Sequence, residues 1–100
     1  MADEDVRRPD AEQKADHKKR EKRLKKIDEE IAQLEERVTA AERQRERNDQ
    51  LLCNEEVFRD GVRVKKIQQQ NGDLRSMIDL LMVKWEALEK EKEELESALA

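Results

Sequence analysis

The residue types that carry chemistry are sparse in this chain, and their spacing argues against catalysis. There is one histidine, His17, and one cysteine, Cys53. A metal centre needs several His, Cys or carboxylate ligands converging on one point, and these two lie far apart in sequence. Cys53 falls at the end of a helical pattern, whereas low-pKa thiols sit at helix N-termini. It reads as a small packing residue, and His17 reads as a surface residue. Glycines occur only at 61 and 72, so no phosphate-cradling loop can form. The chain is expected to be non-catalytic, with no cofactor of its own.

The remaining chemistry is positive charge. One basic cluster is Lys14, Lys18, Lys19, Lys22, Arg23, Lys25 and Lys26. A second comprises Arg43, Arg47, Arg59, Arg63, Lys65 and Lys66. Charge runs of this kind are commonly solvated faces or cross-helix partners of glutamate. The functional alternative is salt-dependent, non-specific contact with phosphates by a rigid rod. No aromatics interleave with these charges, so base stacking is not supported.

The elements that position these charges follow from apolar periodicity. Val64, Ile67, Leu74, Ile78, Leu81, Trp85, Leu88, Leu95 and Leu99 recur at steps of three and four, interrupted only by Asn71 and Lys92. That is a heptad repeat, whose apolar a and d positions form one stripe along an α-helix. A second stripe comprises Leu24, Ile27, Ile31, Leu34, Val38, Ala41, Arg45, Asn48 and Leu52. Extended backwards it meets Arg20 and His17, so the first turns have little to bury. Leu52 and Val64 are twelve residues apart, which is not a whole number of heptads. One continuous rod would rotate its stripe out of register there.

The expected fold is therefore all-α, an antiparallel two-helix coiled-coil hairpin. Residues 1–10 read as a flexible lead or linker, with Asp10 as a helix cap. Residues 11–100 form the hairpin: a helix over 11–53, a tip over 54–61 and a helix over 62–99. Asn54 and Asp60 are the capping residues at the tip, and Val57 and Phe58 are expected to cover the end of the seam. Asn71-Gly72 resembles a turn signal, but the heptad phase runs through it, so it reads as helix. Antiparallel rows match when residue numbers across the seam total 119. Leu52 then meets Ile67, Asn48 meets Asn71, and Leu34 meets Trp85. A one-heptad shift instead puts Asn48 against Val64 and Arg20 against Lys92.

Composition agrees. Charged residues make up 48% of the hundred and aromatics 2%, the mark of long solvated helices and not of a core with pockets. The net charge is −4, but it is unevenly placed. Ten Lys/Arg fall between Arg7 and Lys26, and six Glu against two Lys between Glu86 and Glu96. An antiparallel hairpin lays the basic start beside the acidic end. No apolar run has the length of a membrane span, and a cytoplasmic protein is the default expectation. Residues 77–88 carry more apolar groups than a two-helix seam needs. Leu80 and Val83 point away from the stripe, and Met77 and Met82 flank it. They read either as a broadened core or as candidates for protein contact.

The order of parts resembles the C-terminal coiled-coil domain of ABC-F ATPases of the Uup type. The first helix carries KKREKRLKKIDEEIAQLEERV, the tip reads NEEVFRDGVRVKKIQ, and the second helix carries LRSMIDLLMVKWEALEKEKEEL. Trp85, Glu86 and Leu88 match that family's Trp-Glu-x-Leu element. Asn54-Glu55 stands where the family has Asp-Pro. The resemblance covers about residues 11–99. It implies a module of a longer protein with two ATP-binding cassettes, none of whose ATPase residues map to this chain. It also implies nucleic-acid partners, DNA or ribosomal RNA, with the parent's cassettes as a further partner. The alternative function is a structural arm for protein–protein contact or self-association.

Overall fold

The structure is a computed structural model and describes residues 10–100. Helix α1 spans Asp10–Leu52, α2 is a single turn over Glu55–Phe58, and α3 spans Gly61–Leu99. The two long helices pack antiparallel over their length. The particle is elongated, with extents of 76 × 21 × 16 Å. Residues 1–9 of the expected lead lie outside the described residues. Asp10 is itself helical and is corrected from cap to first-turn residue. It stands there with Glu12, where carboxylates complement the positive end of the helix dipole.

The seam is the core. Ile27, Ile31, Leu34 and Ala41 of α1 and Ile67 and Leu81 of α3 are its buried apolar residues. Every α3 position of the stripe from Val64 to Leu99 is at least partly buried. His17 and Arg20 are exposed, as expected where the stripe turns polar. Burial of each large apolar side chain contributes about 1.5–3 kcal/mol before entropy. Exposed ion pairs contribute far less.

One polar layer crosses this seam and sets its register. Asn48 is only 1% exposed. Its amide donates to Gln70 Oε1 and to Asn71 Oδ1, each at 2.9 Å, and its carbonyl oxygen accepts from Gln44 Nε2 at 3.0 Å. Asn71 in turn donates to Asp49 Oδ1 at 3.1 Å. The Asn48–Asn71 row is the one in which Leu52 meets Ile67. A slip by one heptad would bury Asn48 against Val64 and take its amide NH2 away from Gln70 and Asn71, and such a buried unsatisfied donor costs about 1–3 kcal/mol. Arg45, another polar residue of the stripe, is half-buried, and its Nε has no hydrogen-bond partner.

The tip is built by side-chain caps. Cys53 N and Asn54 N bond back to Gln50 O and Leu51 O, tightening the end of α1. Asn54 Oδ1 then accepts from Glu56 N at 3.0 Å, and Asp60 Oδ1 accepts from Arg63 N at 3.2 Å. No described residue has a positive φ, so the turn is made without left-handed backbone. Val57 is 2% exposed and closes the seam. Phe58 does not: it is 70% exposed, because in a single helical turn adjacent side chains point about 100° apart. Cys53 is also corrected, from packing residue to exposed thiol.

Gly72 lies inside α3 and faces open space. Gly72→Ala is expected to stabilise the chain by about 1 kcal/mol, read from urea unfolding. Asn48→Ala is expected to cost about 1–2 kcal/mol. An unchanged midpoint in Asn48→Ala would show that the polar layer does not hold the register.

Candidate nucleic-acid interface

Seam geometry decides which charges are committed and which are free. In a heptad, e and g positions flank the seam, and b, c and f positions face outward. On the g flank, Arg23 is bound to α3. Its Nη2 donates to Glu91 Oε2 at 2.8 Å and its Nε donates to the same oxygen at 3.2 Å. Its Nη1 lies 3.9 Å from Glu30. The Glu91 hydrogen bond raises the Arg23 pKa further above its ordinary value. Arg23 therefore serves the hairpin, although it belongs to the first basic cluster.

The e flank is acidic. Glu21, Asp28, Glu35, Glu42 and Asp49 occupy successive e positions of α1, a row whose seven-residue spacing is legible in the sequence. Two seam residues send polar ends toward it. Trp85 Nε1 donates to Glu35 Oε1 at 3.1 Å. Lys92 Nζ sits 2.9 Å from Asp28 Oδ1. The Lys92 pKa is raised, first by the hydrogen bond to Asp28, then by its charge, against a smaller opposing effect of desolvation; Glu96 and Glu89 add to the rise. Glu21 Oε1 lies 2.7 Å from His17 Nε2.

What remains is the outward face of α1. Lys18, Lys19, Lys22, Lys25 and Lys26 fall at b, c and f positions and are all exposed. None has an ion pair among the described residues. They form one stripe over about 12 Å of helix axis at 1.5 Å per residue. Lys14 is exposed but falls on the e edge, off this face.

The second cluster does not come together in the same way. Arg59 is paired with Glu55, and Arg47 donates to Gln44 Oε1 at 2.7 Å. Arg43 faces outward on α1, Lys65 and Lys66 face outward on α3, and Arg63 lies on the g flank. These residues ring the tip and do not share a face. The exposed Phe58 beside Arg59 was also missed, because the sequence pattern assigned it to the seam. Among the described residues, no group of three His, Cys, Asp or Glu is placed to hold a metal ion, and no helix is long and apolar enough to cross a membrane.

Comparison with models of known families, with curated proteins and with solved structures finds no match.

The raised Lys92 pKa has a defined consequence for stability. Its contribution is fully present below the ordinary lysine value of 10.5 and is lost as pH rises through the higher folded-state value. The Tm difference between wild type and Lys92→Met is therefore expected to move steadily against the wild type above that pH, followed by circular dichroism. A difference that stays constant through the alkaline range would contradict the Lys92–Asp28 linkage.

Proposed function

We propose that this chain is a non-catalytic binding module that contacts nucleic-acid phosphates through the lysine face of α1. The observation that supports it is the division of charge. The acidic residues of α3 and the e flank engage Arg23, Lys92 and His17, and Lys18, Lys19, Lys22, Lys25 and Lys26 are left facing solvent. Phosphates along one DNA strand are spaced about 3.4 Å along the axis. A stripe of about 12 Å therefore matches three or four of them, on a rod too stiff to lose much entropy on binding.

This contact reads charge and not sequence, since phosphates position a protein without specifying bases. DNA and ribosomal RNA both supply it. The resemblance to the C-terminal coiled coil of ABC-F ATPases supports the same reading, with catalysis left to cassettes elsewhere in a parent chain. In that arrangement the hairpin is a cytoplasmic arm that holds nucleic acid near the ATPase.

Titration of labelled duplex DNA at rising salt tests the reading. Binding is expected to weaken linearly in log K against log salt, with a slope near −0.9 for each phosphate contacted. Replacing Lys18, Lys19, Lys22, Lys25 and Lys26 by Gln should reduce both the affinity and that slope. Absence of binding at low salt, or binding that ignores salt, would rule the proposal out.

A further inference from the structure

The outward row of α3 runs Gln69, Asp73, Ser76, Leu80, Val83, Ala87, Lys90, Glu94 at steps of three and four, on the side of the helix opposite the seam. Its centre is apolar and uncovered. Leu80 is 66% exposed and Val83 65%, with Met77 beside them at 36%. The reading of these residues as a broadened core is thus corrected, since the two-helix seam is already filled by Ile78 and Leu81 on the opposite side. Met82, at 37%, lies on the other flank of the helix and is not part of this row.

We propose that this row is the contact surface for a second copy of the chain, packed antiparallel, α3 against α3, about a twofold axis between Leu80 and Val83. A twofold interface must be self-complementary, and this row is. Laid against its own reverse, Leu80 meets Val83 of the second copy, Ser76 meets Ala87, Asp73 meets Lys90, and Gln69 meets Glu94. Each pairing occurs twice. The apolar residues are central, the small ones let the helices approach, and Asp73–Lys90 pairs of opposite charge flank them on both sides. A slip by one heptad destroys the match. In one direction Leu80 meets Ser76 and Val83 meets Asp73; in the other Leu80 meets Lys90.

The flanks follow the geometry that joins Arg23 to Glu91 within the hairpin, where like heptad positions face each other. Lys65 then faces Glu93 of the second copy. Close to the axis, Asp79 faces Asp79 on one side and Lys84 faces Lys84 on the other. These two like-charge contacts oppose the association and mark its register. The inference does not depend on phosphate contact. The lysine stripe of each α1 stays uncovered, and the dimer presents two such stripes, one toward each end.

Sedimentation equilibrium of the full chain across a concentration series is expected to show a monomer–dimer equilibrium. Leu80→Gln with Val83→Gln should leave a monomer of unchanged helicity, since both side chains are exposed in the hairpin. Asp79→Asn should tighten the dimer by about twofold, the size of one relieved surface repulsion. In a Cys53→Ser background, Asp79→Cys should cross-link to itself with a short bismaleimide. Ser76→Cys should not, but should cross-link when mixed with Ala87→Cys. A monomer mass at every concentration, a dimer indifferent to Leu80 and Val83, or self-linking at Ser76 equal to that at Asp79 would each overturn the proposal.

Discussion

Everything in this molecule depends on one apolar seam with one polar row in it. Packing against each other removes the apolar stripes of the two long helices from water. The seam supplies the stability, and Asn48 supplies the choice among registers that apolar residues alone leave nearly equivalent. Its amide and carbonyl are all engaged, by Gln44, Gln70 and Asn71. A buried amide satisfied in one register and orphaned in the next costs some stability relative to leucine and gains a single alignment.

Register then determines the electrostatics. Once Asn48 faces Asn71, Arg23 must face Glu91 and Lys92 must lie beside Asp28. The acidic charge of the chain is drawn to the e flank and to the end of α3, and the lysines of α1 are left outward. An overall charge of −4 therefore coexists with a continuous positive face. Net charge alone does not point to a polyanion as partner; the placement of charge is compatible with one. The same register turns Leu80 and Val83 away from the core, so the hairpin ends with two unsatisfied surfaces of different chemistry on its two helices.

Much of this was legible in the sequence because heptads are a strong signal. The stripe from Val64 to Leu99 appears as an unbroken row of buried and half-buried positions, Gly72 stays helical, and Asn54 and Asp60 cap as their types suggest. The sequence failed where periodicity ends. At the tip a single turn decides whether Val57 or Phe58 points inward, and apolarity cannot choose between neighbours. Cys53, read as a packing residue at the helix end, is likewise exposed there. Individual ion pairs were also beyond reach. Lys25 has Glu21 at helical spacing, but His17 takes that carboxylate, and nothing in spacing alone ranks the two. The basic clusters were legible as lists but not as faces, since Arg23 and Lys22 are adjacent in sequence and serve opposite ends.

The register is the claim from which the rest follows, and a distance across the hairpin measures it. Spin labels at Arg37 and Met77, in a Cys53→Ser background, occupy facing g positions equivalent to Arg23 and Glu91. Pulsed electron resonance should give one short distance that persists when labelled chains are diluted into unlabelled ones. A slip of one heptad would displace the labels by about 10 Å along the axis. A lengthened distance, or one that disappears on dilution, would contradict the intramolecular hairpin in this alignment.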